Sequence, residues 1–190
     1  MANSIAELDV NLDEDQKKIL FIYSLYSSEE QLRFMQYTGI LSICYYLMQQ
    51  GIFPNYKEQL LIYDYKADRR YLWEDKKFMN DINVLRKYNT LIRARARSKE
   101  YRDVNSHQIS KLGIQYINEI NLAGSNTGQK ILSHLKCKCG NLRHVVFDDK
   151  DPILKCTSCG SVLHVSGFLY DLHEPLEYSH SAFFLGGDKI

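Results

Sequence analysis

The stretch Leu91-Ile92-Arg93-Ala94-Arg95-Ala96-Arg97 alternates strictly between apolar and basic residues once past its first position. A period of two is that of a β-strand, with Ile92, Ala94 and Ala96 on one side and Arg93, Arg95 and Arg97 on the other. Just upstream the period is different. From Trp73 to Tyr88 the apolar residues Phe78, Ile82, Leu85 and Tyr88 recur at helical spacing, with Lys76, Lys77, Arg86 and Lys87 interspersed. Downstream, the polar run Ser98 to Asp103, which includes Lys99 and Arg102, reads as a hairpin tip, and Val104 to Ile109 returns as a second strand. Ser110 then caps a helix that begins at Lys111 and runs to Ile120. The order is therefore helix, short connector, two-stranded hairpin with a basic tip, helix.

Charge is concentrated on the same segment. The 190 residues carry 24 Lys+Arg and 23 Asp+Glu, a net charge of +1, which taken alone argues against a polyanion partner. The distribution reverses that inference. Residues 1–65 hold 4 basic and 9 acidic side chains, residues 66–102 hold 12 and 5, residues 103–136 hold 3 and 2, and residues 137–190 hold 5 and 7. A basic segment set between acidic ones is the electrostatic footprint expected for a polyanion, although a solvated basic face with no ligand has the same composition.

Upstream, Asn11 or Asp13 can cap a helix whose first turn carries Glu14 and Asp15 and whose stripe is Ile19, Leu20, Ile22, Tyr23 and Tyr26. Ser27-Ser28-Glu29-Glu30 is expected to open a second helix through Leu32, Phe34 and Met35. Thr38 is expected to start a third, dense in apolar residues, ending at Gly51 with Pro54 beyond it. Leu60-Leu61-Ile62-Tyr63 fits helix or strand.

Five cysteines occur, and four form two tight pairs: Cys137-Lys138-Cys139-Gly140 and Cys156-Thr157-Ser158-Cys159-Gly160. Zinc takes four soft ligands at tetrahedral corners about 2.3 Å away. Ligands one or two residues apart can share one ion if the chain turns back sharply, and the glycine after each pair accepts the positive φ that such a turn needs. Cys137, Cys139, Cys156 and Cys159 thus have the double-knuckle pattern of a zinc ribbon, with a first knuckle one residue shorter than the usual Cys-x-x-Cys. Two disulfides are the alternative. With no basic and apolar leader at the start, a reducing compartment is expected, and there such pairs are metal ligands more often than disulfides. Between the knuckles Leu142 to Phe147 alternates as a strand, Asp148 to Pro152 reads as the turn, and Ser161 to Val165 follows as a further strand. His144 and His164 flank the knuckles and are assigned no ligand role. Cys44, inside an apolar run, is expected to be a buried inert thiol. Four cysteines leave no vacant coordination position, so one structural Zn2+ is implied, and a module this small should need it to fold.

The run Leu85-Arg86-Lys87-Tyr88-Asn89-Thr90-Leu91-Ile92 resembles the end of a winged-helix recognition helix leading into the first wing strand. His107-Gln108-Ile109-Ser110-Lys111-Leu112-Gly113 is similar to the second wing strand and the Ser/Thr-x-x-Gly start of the last helix in bacterial and archaeal winged-helix regulators. The resemblance covers residues 70–121 well and 12–65 loosely. It implies that the helix enters a major groove and that the wing reaches a neighbouring groove or the backbone. A winged helix followed by a zinc ribbon also resembles the order in the transcription factor E alpha subunit, which works at RNA polymerase.

The expected architecture is α+β: a mainly helical winged-helix domain with an N-terminal helical extension over residues 1–122, a linker over 123–135 with a flexible joint at Gly124 to Gly128, and a small β zinc ribbon with a C-terminal tail over 136–190. The tail, with Phe168, Tyr170, Tyr178, Phe183 and Phe184, is expected to pack on the ribbon. The expected function is transcriptional regulation by binding duplex DNA. Lys76, Lys77, Arg86, Lys87, Arg93, Arg95, Arg97, Lys99 and Arg102 would supply phosphate contacts, and Asn80 and Asn83 are the candidates for reading bases. A non-enzymatic adaptor, or a polymerase-associated assembly factor whose winged helix binds protein, is the alternative. A protein partner at the ribbon and a homodimer are further expectations. No nucleophile elbow, Walker loop, His-Glu-x-x-His or Rossmann fingerprint occurs, so no enzyme is expected. No run reaches 18 apolar residues, so neither is a membrane, and a cytoplasmic location follows.

Overall fold

The structure is a computed structural model that describes residues 10–28, 30, 32–56, 60–65, 68–73, 76–96, 104–148, 151–165, 169–170, 180–181 and 183–185. It is α+β, and the chain divides into two compact units built from alternating segments rather than from consecutive halves. One contains residues 1–36, 79–129 and 184–190, the other residues 37–78 and 130–183.

The first unit begins with α1 (Glu14–Leu25). Asp13 is its N-cap, and a reciprocal capping box joins the Asp13 carboxylate to the Gln16 amide N–H and the Gln16 side chain to the Asp13 N–H. The segment expected to form a second helix is instead the strand β1 (Arg33–Gln36). Its four residues are too few to propagate a helix alone, and they gain ladder hydrogen bonds against β5 (Val104–Ile109), with Phe34 opposite Gln108 and Met35 opposite His107. The other side of β5 pairs with β4 (Leu91–Ala96), Arg93 opposite His107 and Leu91 opposite Ile109. The expected helix–hairpin–helix order is present: α3 (Lys76–Lys87) precedes β4, and α4 (Lys111–Glu119) follows β5. Together β4, β5 and β1 form three successive strands of an antiparallel sheet, with α1 packed on β5 and α4. Ile19, Leu20, Ile22, Met35, Ile82, Leu85, Leu91, Ile109, Ile114 and Ile117 are the buried core of this unit.

In the second unit α2 (Tyr37–Gln49) stops where expected. Gly51 has φ +74° there, and the amide of Ile52 reaches back to the carbonyl of Leu47 at 2.9 Å. Leu60–Tyr65 is a strand, β2, which resolves the open alternative; it pairs with β3 (Asp68–Trp73), a hairpin the sequence reading did not anticipate. The residues expected as a linker, 123–135, carry the end of a 3₁₀ turn (Leu122–Gly124) of the first unit and then α5 (Asn126–Leu135). Ser125 caps α5 by accepting the Gly128 amide at 3.0 Å, and a Cβ on Gly128 would lie 2.0 Å from the Leu122 carbonyl. Glycine permits the close packing at this position.

A second antiparallel sheet has β6 (Arg143–Asp148) and β7 (Asp151–Cys156) at its centre and β8 (Val162–His164) at one edge. The strands reach further than expected into the segment read as the turn, since Asp148 pairs with Asp151. Val145, Leu154 and Leu163 lie in one cross-strand row, and the first two are fully buried. The short strands β9 (Leu169–Tyr170), β10 (His180–Ser181) and β11 (Phe183–Leu185) complete the order, β9 joining β3, β10 the edge at β6 and β11 the edge at β1. Phe168 and Tyr178, expected to pack on the ribbon, lie outside the described residues. Among the described residues no helix is long and apolar enough to cross a membrane.

Candidate metal centre and basic surface

Two matching turns carry the cysteines. In the first, the Cys137 amide bonds the Asn141 carbonyl and the Gly140 amide returns to the Cys137 carbonyl, both at 2.8 Å. In the second, the Cys156 amide bonds the Ser161 carbonyl and the Gly160 amide returns to the Cys156 carbonyl, both at 2.9 Å. Gly140 and Gly160 have φ of +88° and +73°, so the positive φ inferred from sequence is used in both turns. The β6–β7 register sets Arg143 opposite Cys156, which brings the two turns together at one end of the hairpin.

The four sulfurs of Cys137, Cys139, Cys156 and Cys159 all lie within 4.8 Å of one another, close enough to share one metal ion. Tetrahedral sulfur ligands at about 2.3 Å from a metal stand about 3.8 Å apart. Two pairs cross between the knuckles, Cys137 to Cys159 at 3.4 Å and Cys139 to Cys156 at 3.5 Å. All four thiols are free, so no disulfide closes either pair. Cys137 and Cys156 are buried while Cys139 and Cys159 face solvent.

Two polar residues that the sequence reading passed over touch this cluster. The Ser161 hydroxyl lies 3.0 Å from Cys137 Sγ, and the Asn141 side-chain amide donates to Cys139 Sγ at 3.5 Å. Their signal was a repeat: each follows a Cys-Gly pair, Cys139-Gly140-Asn141 and Cys159-Gly160-Ser161. The Ser161 hydroxyl, helped by the Cys139 amide and the Cys159 thiol, draws the Cys137 thiol down to about 6. Asn141, through its side chain and backbone, likewise lowers Cys139. Cys156 receives the amide of Cys159, which lowers it, but burial and the thiols of Cys139 and Cys159 push it up overall. His144 is half-buried and His164 exposed, and neither belongs to the cluster. Cys44 is buried, as expected for an inert thiol.

The basic residues converge in part. On α3, Phe78, Ile82 and Leu85 turn inward, and so does the only carboxylate of the helix, Asp81, which accepts the buried Gln16 side-chain amide at 3.0 Å. Lys76, Asn80, Asn83 and Lys87 follow one line at i, i+4, i+7 and i+11, and all four are exposed. Arg86 sits beside that line and donates to the Asn83 carbonyl oxygen at 3.2 Å. Lys77 lies off it, half-buried, with Nζ 5.3 Å from the centre of the Tyr56 ring. On β4, Arg93 is exposed and shares a face with Leu91 and, across the ladder, with His107. Ile92 occupies the opposite face and is 48% exposed. Burial, and the guanidinium groups of Arg86 and Arg93, push the His107 imidazole down to about 4, so it is neutral near pH 7. Arg95 lies on β4, but its side chain is not among those described, and Arg97, Lys99 and Arg102 lie outside the described residues.

Fold and cluster together define an α+β protein with four cysteines gathered closely enough to bind one metal ion. Residues 15–163 match the model of the family described as uncharacterized protein MJ1567, and the chain belongs to that family. No match was found among curated proteins or among solved structures.

Proposed function

We propose that the protein is a DNA-binding regulator of the winged-helix type, in which α3 and the β4–β5 hairpin contact duplex DNA and a structural zinc ion holds the cysteine-bearing hairpin for protein contacts. The observation that carries this reading is the exposed line of α3. Lys76, Asn80, Asn83 and Lys87 present cations and amides without a carboxylate among them, because Asp81 is turned inward to Gln16. Cations there suit phosphates, and an amide can pair with an adenine edge in a major groove. Arg93 extends the basic surface onto the hairpin. Strand order supports the winged-helix reading, since β1 pairs with β5 on the side away from β4, and α3 leads directly into β4.

Zinc is favoured by the donor set. Four thiolates at tetrahedral spacing suit a soft or borderline ion and leave no position for water, so the ion would order the knuckles and perform no chemistry. The edge strand β8, with Val162 44% exposed, is a surface for a protein partner. A cytoplasmic location accords with four free thiols.

The test is a salt-titrated binding curve on mixed-sequence duplex DNA. Its slope counts the phosphates neutralised. A slope near zero at low ionic strength excludes the reading.

A second reading, a non-enzymatic adaptor or polymerase-associated assembly factor, draws support from Met79 and Ile92. These apolar side chains, on the same helix and strand as the basic residues, are 40% and 48% exposed. In that case binding to protein would survive loss of the cations and fail on replacement of Met79 and Ile92 by polar residues.

A further inference from the structure

The two knuckles differ by one residue, and the hydrogen bonds around them show where the difference falls. In each, the glycine amide closes on the carbonyl of the leading cysteine: Gly140 on Cys137 and Gly160 on Cys156. Those amides are engaged and do not reach a sulfur. In the longer knuckle three residues, Thr157, Ser158 and Cys159, stand between the leading cysteine and the glycine. The shorter knuckle has two, Lys138 and Cys139, and so one backbone amide fewer that can turn toward its leading sulfur. Cys137 therefore has one amide fewer to draw on in its own turn than Cys156, and the Ser161 hydroxyl lies 3.0 Å from its sulfur. Ser161 comes from the opposite knuckle, where its carbonyl is fixed by the Cys156 amide at 2.9 Å.

We propose that Ser161 is a positioning residue for the metal centre, supplying across the cluster the hydrogen bond to Cys137 Sγ that the shortened first knuckle cannot provide from its own backbone. A cysteine holding a metal ion is a thiolate with no proton to give, so the hydroxyl must be the donor. Four thiolates leave excess negative charge around a divalent ion. Donors to the sulfurs disperse that charge and fix the direction in which each sulfur points, which makes such partners matter for affinity. Asn141, the corresponding residue of the first knuckle, has a different duty: its side chain serves Cys139 within its own turn. The inference rests on the reading that the four sulfurs hold one metal ion.

The experiment measures zinc affinity of the full chain by competition with a chromophoric chelator, and records the sulfur-to-metal charge-transfer spectrum of the cobalt(II) form. Ser161→Ala is expected to weaken zinc about tenfold and to shift the cobalt spectrum, while Ser161→Thr, which keeps the hydroxyl, stays within about twofold of the parent. Inserting one serine between Lys138 and Cys139 restores a two-residue spacing and the missing amide. In that background Ser161→Ala should change affinity by less than about twofold. An equal loss in both backgrounds, or no loss in either, overturns the proposal. If the inserted chain does not fold, the Thr and Ala variants decide: equal weakening by both counts against the hydroxyl, and weakening by Ala alone supports it. Failure of the unaltered protein to hold one zinc per chain is a separate result and removes the metal reading itself.

Discussion

The Ser110 hydroxyl donates to the carbonyl of Asn89 at 2.7 Å while accepting the amide of Gly113 at 3.0 Å, so one side chain joins the end of α3 to the start of α4 across 21 residues. Asn89 closes α3 in the left-handed region at φ +56°, and the Ser110 amide adds a bond to the Thr90 carbonyl at 3.0 Å. The exit of the basic helix is thereby fixed against the hairpin that follows it. Ser110→Ala loses a helix cap and strands a partly buried carbonyl, and should cost about 1–2 kcal/mol. Urea unfolding would show a lower midpoint with an unchanged slope. A midpoint equal to the parent's would mean that the hydroxyl does not secure this joint.

Gly113 makes the same joint a test of sign. Alanine normally stabilises a helix interior by up to about 1 kcal/mol over glycine. Here a Cβ would lie 2.5 Å from the Thr90 carbonyl oxygen and 2.8 Å from Ile109 Cγ1, and a backbone carbonyl held by Ser110 cannot yield cheaply. Gly113→Ala should therefore destabilise, by about 1–2 kcal/mol net of the propensity gain. A stabilised variant would show that α4 can shift away from Thr90.

His107 gives a pH dependence with a definite direction. Its imidazole titrates near 4 in the folded chain because of burial and the charges of Arg86 and Arg93, against 6.5 when exposed. Between those values the unfolded chain binds the extra proton, so stability rises with pH. The penalty is absent above about 6.5, grows as pH falls, and is complete below about 4, where it amounts to about 3 kcal/mol. The difference in unfolding free energy between the parent and His107→Gln, followed from pH 7 to 4, isolates this group from the carboxylates. A difference constant across that range would mean that His107 does not titrate as placed.

Much of this was legible in the sequence for a local reason. The Arg93-Ala94-Arg95-Ala96 alternation, the Phe78-Ile82-Leu85 stripe, the Ser110 cap and the Cys-Gly pairs each encode their structure within a few residues, and each formed as expected. What escaped depends on partners distant in sequence. Arg33–Gln36 is a strand because β5, about seventy residues away, offers it a ladder, and no local period announces that. The helix over Asn126–Leu135 was hidden by Gly124 and Gly128, which suggest a joint until the Leu122 carbonyl is seen packed against Gly128. Of the site, the gathering of the four cysteines was readable from spacing, whereas the contact of Ser161 with Cys137 was not, because it crosses between knuckles.

For the basic surface, the prediction concerns salt rather than affinity alone. Lys87→Gln and Arg93→Gln each remove one expected phosphate contact, one from the exposed line of α3 and one from β4. Each should lower the slope of log K against log salt by about one and weaken binding almost equally on unrelated sequences. Asn83→Ala should leave the slope unchanged and alter discrimination between sequences by about 1–3 kcal/mol per base pair read. Lys77→Gln is the control, since Lys77 lies off the line and over the Tyr56 ring. A slope loss with Lys77→Gln as large as that with Lys87→Gln would locate the contacts elsewhere.

With a metal ion held by the four cysteines as proposed, its removal should dissect the molecule. Among the described side chains of the β6–β7 hairpin the large buried ones are chiefly Val145, Ile153 and Leu154, and four thiols gathered within 4.8 Å would repel one another as thiolates without an ion between them. Chelation should therefore open this hairpin. The amides of Val145 and Leu154 would then exchange with solvent orders of magnitude faster, whereas those of Leu91 and Ile109, in the β4–β5 ladder, should keep their protection because no cysteine of the cluster lies in their unit. Readdition of zinc should restore the slow exchange. If Val145 and Leu154 stay protected after the metal has been shown to leave, the cysteine cluster is not what holds the hairpin closed, and its sulfurs must serve another purpose.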